Sequence, residues 1–123
     1  MGTEKLTTVE RPDGVLSEQD FLAKLEVESV EIEVPEMGVS AKVLIRPLSI
    51  EQRTEAYVRA QDGVKVNSAR FQALTLLKGM VRPQLTDKAL PALLAGNPRA
   101  VDRIAKAIWK LSGLDDLEAV KNV

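Results

Sequence analysis

The apolar residues switch to a period of two in one stretch of an otherwise helical pattern, and that switch constrains the fold more than any other feature. From Val30 to Ile45 apolar side chains recur at every second position, whereas from Ile50 to Leu111 they recur at every third and fourth. A period of two places alternate residues on opposite faces of a strand, and a period near 3.6 gathers them on one side of a helix. The chain is therefore expected to be α+β and mostly helical, with an N-terminal two-stranded antiparallel β-hairpin packed on a bundle of about four helices. At 123 residues it fits one domain, because a chain of this size buries roughly two-thirds of its unfolded surface around a single core. Residues 1 to 16 show no period and read as a flexible leader, 17 to 113 as the domain, and 114 to 123 as a polar C-terminal tail.

The hairpin can be read in register. Val30, Ile32 and Val34 alternate with Glu31 and Glu33, and after Pro35-Glu36-Met37-Gly38 a second run alternates Ala41, Val43 and Ile45 with Lys42, Leu44 and Arg46. Pairing Val34 with Ala41, Ile32 with Val43 and Val30 with Ile45 keeps both apolar rows on one face. Glu33 then meets Lys42, and Glu31 meets Leu44. A slip of one residue would carry a whole apolar row into water.

Caps and breakers divide the remainder. Ser17-Glu18-Gln19-Asp20 starts a short helix with Phe21, Leu22 and Leu25 on one side, ending near Glu26. Ser49-Ile50-Glu51-Gln52 has the capping-box arrangement and opens a helix from Ile50 to about Ala60, with Ile50, Ala56, Tyr57 and Ala60 on its apolar side and Asp62-Gly63 as its stop. Asn67 or Ser68 caps a third helix whose Phe71, Ala73, Leu74, Leu76, Leu77, Met80 and Val81 mark it as central, and Arg82-Pro83 closes it. A short helix follows Thr86 or Asp87, its start left open by Pro91. Gly96-Asn97-Pro98 punctuates the last boundary. The final helix runs from Pro98 to about Ser112, with Val101, Ile104, Ala105, Ile108 and Leu111 inward, Arg103, Lys106 and Lys110 outward, and Gly113 as its stop. Phe71, Leu74, Leu77, Ile104 and Ile108 are the expected centre of the core.

The composition removes several chemistries. With no Cys and no His, the chain has no thiol nucleophile, no imidazole base, no disulfide and no usual zinc, copper or haem ligand set. Carboxylate pairs remain: Glu31 with Glu33, Glu51 with Glu55, and Asp115 with Asp116. They fall on a wet strand face, a helix surface and the tail, and no glycine-rich phosphate cradle accompanies them. The expectation is a protein with no catalytic residues, no cofactor and no metal. The opening Met1-Gly2-Thr3-Glu4-Lys5-Leu6 lacks the apolar run of a signal peptide, and no stretch reaches the length that crosses a bilayer, so a cytoplasmic protein without a membrane partner is expected.

Charge is unevenly spread. Residues 1 to 37 carry three Lys or Arg against ten Asp or Glu, while residues 38 to 112 carry thirteen against five. A basic helical body raises nucleic-acid binding, but the cations fall at helix-surface spacing, few aromatics are present to stack on bases, and no basic recognition helix stands out. A solvated surface or an acidic protein partner accounts for the charge, and no nucleic-acid partner is expected. Trp109, one position off the inward stripe, and Tyr57, on a weakly apolar helix, serve either to close a small core or to anchor an interface. With Leu44 on the outer face of the hairpin and Arg103, Lys106 and Lys110 on the last helix, they form the candidate partner-contact set. The hairpin edge is the candidate for self-association, and the helical face carrying Trp109 for the partner.

These residues also carry a resemblance. The run Val30-Glu31-Ile32-Glu33-Val34-Pro35-Glu36-Met37-Gly38, then Val43-Leu44-Ile45-Arg46-Pro47-Leu48-Ser49 and a polar helix with Glu51 and Arg53, resembles the small tail assembly chaperones of tailed bacteriophages. Leu85-Thr86-Asp87 and the closing Leu111-Ser112-Gly113-Leu114 extend the similarity over about residues 20 to 121. The resemblance implies a non-enzymatic protein of the bacterial host's cytoplasm. It would bind the tape measure protein, assist tail tube assembly, and be absent from the mature virion; a homo-oligomer through the hairpin edge is the separate expectation from the exposed strand. The resemblance also implies a longer frameshifted form of the chain itself, and Val120-Lys121-Asn122 can be encoded by the slippery run GUA AAA AAC. The alternatives are another phage structural protein of the head-tail connector type, which would stay in the particle, and a small nucleic-acid-binding regulator.

Overall fold

Proline, glycine and capping residues partition the chain into elements that follow one another closely. A computed structural model describes residues 14–114. The leader up to Asp13, the Asp115-Asp116 pair, the tail beyond Leu114 and the Val120-Lys121-Asn122 run lie outside the described residues. The elements in chain order are α1 (Glu18–Lys24), β1 (Val30–Glu33), β2 (Lys42–Ile45), α2 (Ile50–Arg59), β3 (Gln61–Asp62), β4 (Lys65–Val66), α3 (Ser68–Gly79), β5 (Met80–Arg82), α4 (Leu90–Ala95) and α5 (Pro98–Leu111). Short 3₁₀ turns occupy Pro35–Met37 and Asp87–Ala89. The described chain is thus mixed α/β, with five α-helices and a small antiparallel sheet.

β1 and β2 pair in the register that the alternation requires: Val30 with Ile45, Glu31 with Leu44, Ile32 with Val43 and Glu33 with Lys42. The Val34 amide donates to the Ala41 carbonyl at 2.9 Å, which carries the pairing one step further. The Lys42 ammonium leans diagonally towards Glu31, at 3.7 Å, in place of the expected Glu33.

The sheet has three strands, not two. Met80 and Val81, expected as the last turn of the third helix, belong instead to β5, which lies antiparallel to the free side of β2 and gives the order β1-β2-β5. Two local causes end the helix early. Pro83 pushes Arg82 towards extended geometry, and Gly79 is the weakest helix former of the segment. Met80 is already extended, and the Arg46 amide donates to the Gly79 carbonyl at 2.9 Å. Gly79 has a second use: a Cβ there would stand 2.7 Å from Ile108 Cδ1, so its absence allows α3 and α5 to approach.

The caps behave as their chemistry dictates. Ser49 Oγ accepts from the Gln52 amide and Gln52 Oε1 accepts from the Ser49 amide, both at 3.0 Å, completing the box that starts α2. Asn67 caps α3 and Asn97 caps α5. Pro91 sits in the first turn of α4, where its missing N–H costs no helical hydrogen bond. A two-residue turn at Gly63-Val64, with Gly63 at φ +70°, joins β3 to β4 in a small ribbon that the sequence reading took simply for the end of α2.

The core is built on α3 and α5. Phe71, Leu74, Ile104 and Ile108 are buried as expected, while Leu77 lies at the margin. Val34, Val43 and Ile45 bring one face of the sheet into the same cluster. Leu114, which the sequence reading placed in the tail, is buried too, its amide bonded to the Trp109 carbonyl. Ile50 and Leu111, both expected inward, are exposed. The Leu48 amide donates to Ser112 Oγ at 2.9 Å, tying the start of α2 to the end of α5.

Candidate functional site

Two surfaces concentrate side chains that could do something beyond holding the fold. The first is an open cleft of about 560 Å³ between β1, the 3₁₀ turn that follows it, and α5. Helical spacing sets one wall: Arg99, Arg103 and Lys106 fall four and then three residues apart and share a side of α5. Ile32, Glu33 and Glu36 form the other.

Two of the three cations of this wall, Arg103 and Lys106, are engaged. Arg103 Nε lies 2.8 Å from Glu36 Oε1, and its Nη2 lies 2.8 Å from Oε2, a two-pronged bridge between α5 and the hairpin turn. The guanidinium hydrogen bond holds the Glu36 carboxyl below its ordinary range, and the same bond raises the Arg103 pKa. Asp102 accepts from Gln72 Nε2 at 3.0 Å and lies 3.1 Å from the Lys106 ammonium, linking α3 with α5. Interleaved, bridged charges of this kind fix the sheet against α5. Among the described residues no group of three or more carboxylates is placed to hold a metal ion, and the cleft pairs no nucleophile with a base.

The six candidate contact residues are not brought together. Arg103 and Lys106 line the cleft, and Lys110 continues their row, exposed and without an ion pair among the described residues. Leu44 is half-buried on the opposite face of the sheet, beside Glu31. Tyr57 is half-buried and packs against the core cluster from α2.

Trp109 requires a correction. It is 1% exposed, so it offers no surface to a partner. Its ring stacks on Phe71 with centroids 5.7 Å apart, and its indole Nε1 donates to Thr75 Oγ1 at 2.8 Å. Thr75 in turn donates to the Phe71 carbonyl at 2.8 Å, so both buried polar groups are satisfied. α3 covers a wider arc of α5 than its apolar stripe alone indicates, and Trp109, held by Phe71 and Thr75, falls inside that arc.

The second surface is α1. Ser17 Oγ accepts from the Asp20 amide at 3.1 Å and starts the helix. Its apolar stripe then faces solvent: Phe21 is 51%, Leu22 52% and Leu25 58% exposed. Val15, Leu16 and Val27 are exposed on either side of it. Among the described residues α1 packs extensively on no other helix or strand. Single exposed apolar residues are ordinary, but six within thirteen consecutive positions mark an interaction surface.

No family model, curated protein or solved structure matches the chain. The assignment of the site rests on the chemistry of the two surfaces. The candidate contact set passed over α1 although its stripe was plain in the sequence. The missing signal is the absence of a complementary apolar face, which only the tertiary arrangement reveals.

Proposed function

We propose that this protein is a non-enzymatic tail assembly chaperone of a tailed bacteriophage. It acts in the host cytoplasm by covering apolar helical length on the tape measure protein, assists tail tube assembly, and is left out of the finished virion. The observation that carries the proposal is the solvent-facing stripe Phe21, Leu22 and Leu25, a helix face built to be covered and left about half exposed by the described residues. Such a face is what reversible shielding of a second amphipathic helix requires. Support also comes from the cleft, where Glu36 with Arg103 and Asp102 with Lys106 are joined in structural pairs. The reading takes β1 and β2 as a hairpin seated on a bundle of α2 to α5, and the longer frameshifted product as a second form carrying the same surface.

Co-expression with the tape measure candidate encoded beside this gene tests the proposal. The expected result is a larger soluble fraction of that partner and its co-purification with this protein. Equal solubility with and without the protein, and no co-purification, would overturn it.

A further inference from the structure

We infer that the α1 surface takes an amphipathic helix whose apolar row is flanked by Lys or Arg, supplied by a separate client chain and not by a second copy of this protein. The inference rests on the chaperone reading and names the chemistry of the partner at that site.

Charge makes the selection. Residues 14 to 37, which contain α1 and β1, carry seven Asp or Glu against the single cation Lys24; Glu31 and Glu36 are paired with Lys42 and Arg103 and Asp20 is buried, which leaves the glutamates around α1 to set the charge of this surface. Glu18, Glu26 and Glu28 lie in and just beyond the helix that bears the stripe, and all three are exposed. A helix docking here buries its apolar row against Phe21, Leu22 and Leu25, and its flanks come to rest beside those carboxylates. Basic flanks are attracted and acidic flanks repelled, which sets partner choice more than raw affinity.

Among the described residues a second copy supplies no such helix. Two α1 stripes set face to face would place the glutamates of one copy against those of the other. The basic helix of a second copy, α5, presents Arg99, Arg103, Lys106 and Lys110 along its outer side, with Arg103 and Lys106 already bridged to Glu36 and Asp102. Its apolar residues Ile104, Ala105 and Ile108 are spent inside its own core. That side therefore offers charge of the right sign without an apolar row for the stripe to enter.

The test uses the full chain and two synthetic helical peptides that share one leucine row, one flanked by Lys and the other by Glu, with binding followed by fluorescence anisotropy. The Lys-flanked peptide is expected to bind about tenfold or more tighter, with the gap narrowing at high salt. Phe21→Ser with Leu25→Ser should abolish binding of both peptides. Glu18→Lys with Glu26→Lys keeps the apolar stripe and should reverse the preference, which guards against a fold defect in the first variant. Equal affinity for the two peptides, or unchanged binding by the serine variant, would overturn the inference. So would a concentration-dependent dimer in sedimentation that the serine substitutions abolish, since the occupant would then be a second copy. A tape measure partner kept equally soluble by the serine variant would also overturn it while leaving the chaperone reading in place. Peptide binding as expected, without any effect on the tape measure partner, would support the surface and remove the chaperone reading.

Discussion

α1 and α5 begin alike and end differently. Each has a side-chain cap, Ser17 for one and Asn97 for the other, and each carries apolar residues three and four apart. α5 is covered along that stripe by α3, which Gly79 lets approach Ile108, and is tied to the hairpin turn through Arg103 and Glu36. Among the described residues α1 meets no comparable face, and Phe21, Leu22 and Leu25 stay about half exposed. Amphipathic spacing states that a face needs a cover; it does not state which chain provides it. In α5 the cover is this polypeptide. In α1 it is the place to look for another.

The largest test of the contrast is deletion of an aromatic ring in each region. Trp109→Ala removes a fully buried side chain, its stacking on Phe71 and the donor to Thr75, and is expected to cost about 3–5 kcal/mol in denaturant unfolding. The equivalent deletion at Phe21 removes a ring that is half in solvent and should cost well under half of that. Equal losses at the two positions would mean that α1 belongs to the same cooperative core, and the comparison would fail.

Legibility from the sequence follows the same division. The hairpin register was readable because a one-residue slip reverses which face is apolar, so Val30 to Val34 and Ala41 to Ile45 allow one solution. The Ser49 box and Gly96-Asn97-Pro98 were readable because capping is local chemistry. β5 was hidden, since Met80 and Val81 continue the helical period of α3 and only the unpaired side of β2 makes a strand of them. Burial of Trp109 was hidden for a related reason: the arc of α5 that is covered depends on how α3 lies across it. Lys106 and Asp102 stand four apart on α5, a pairing that helical spacing contains, but the engagement of Arg103 with Glu36, 67 residues away, is a long-range fact that spacing along one helix does not hold.

The bridge between Glu36 and Arg103 gives a smaller effect with a defined pH dependence. The folded state holds Glu36 below its ordinary pKa, so the unfolded state binds more protons as the pH drops through that interval. Its contribution is therefore fully present above the ordinary glutamate range and disappears as the pH falls through the depressed folded value. Denaturant midpoints measured from neutral to acid pH should show the wild-type chain losing more than Glu36→Gln, so that the two converge at the acid end. Parallel curves would show that the turn and α5 are held together by packing alone, and that the charged cleft adds nothing to the covering of α5.

The smallest expected effect bears most directly on α1. Phe21→Ser together with Leu25→Ser removes two large apolar side chains, yet both are more than half exposed and outside the core cluster, so unfolding free energy should change by no more than about 0.5 kcal/mol. Amide exchange offers a second view: α1, with its backbone hydrogen bonds near solvent, should exchange far faster than α5 in the wild-type chain, and the variant should leave α5 protection unchanged. A large loss of stability, or deprotection that spreads into α5, would mean that the stripe supports the fold from a direction the described residues do not reveal. An unchanged fold that no longer keeps its partner soluble would make the stripe a surface retained for another chain, because its own chain would have lost nothing by its removal.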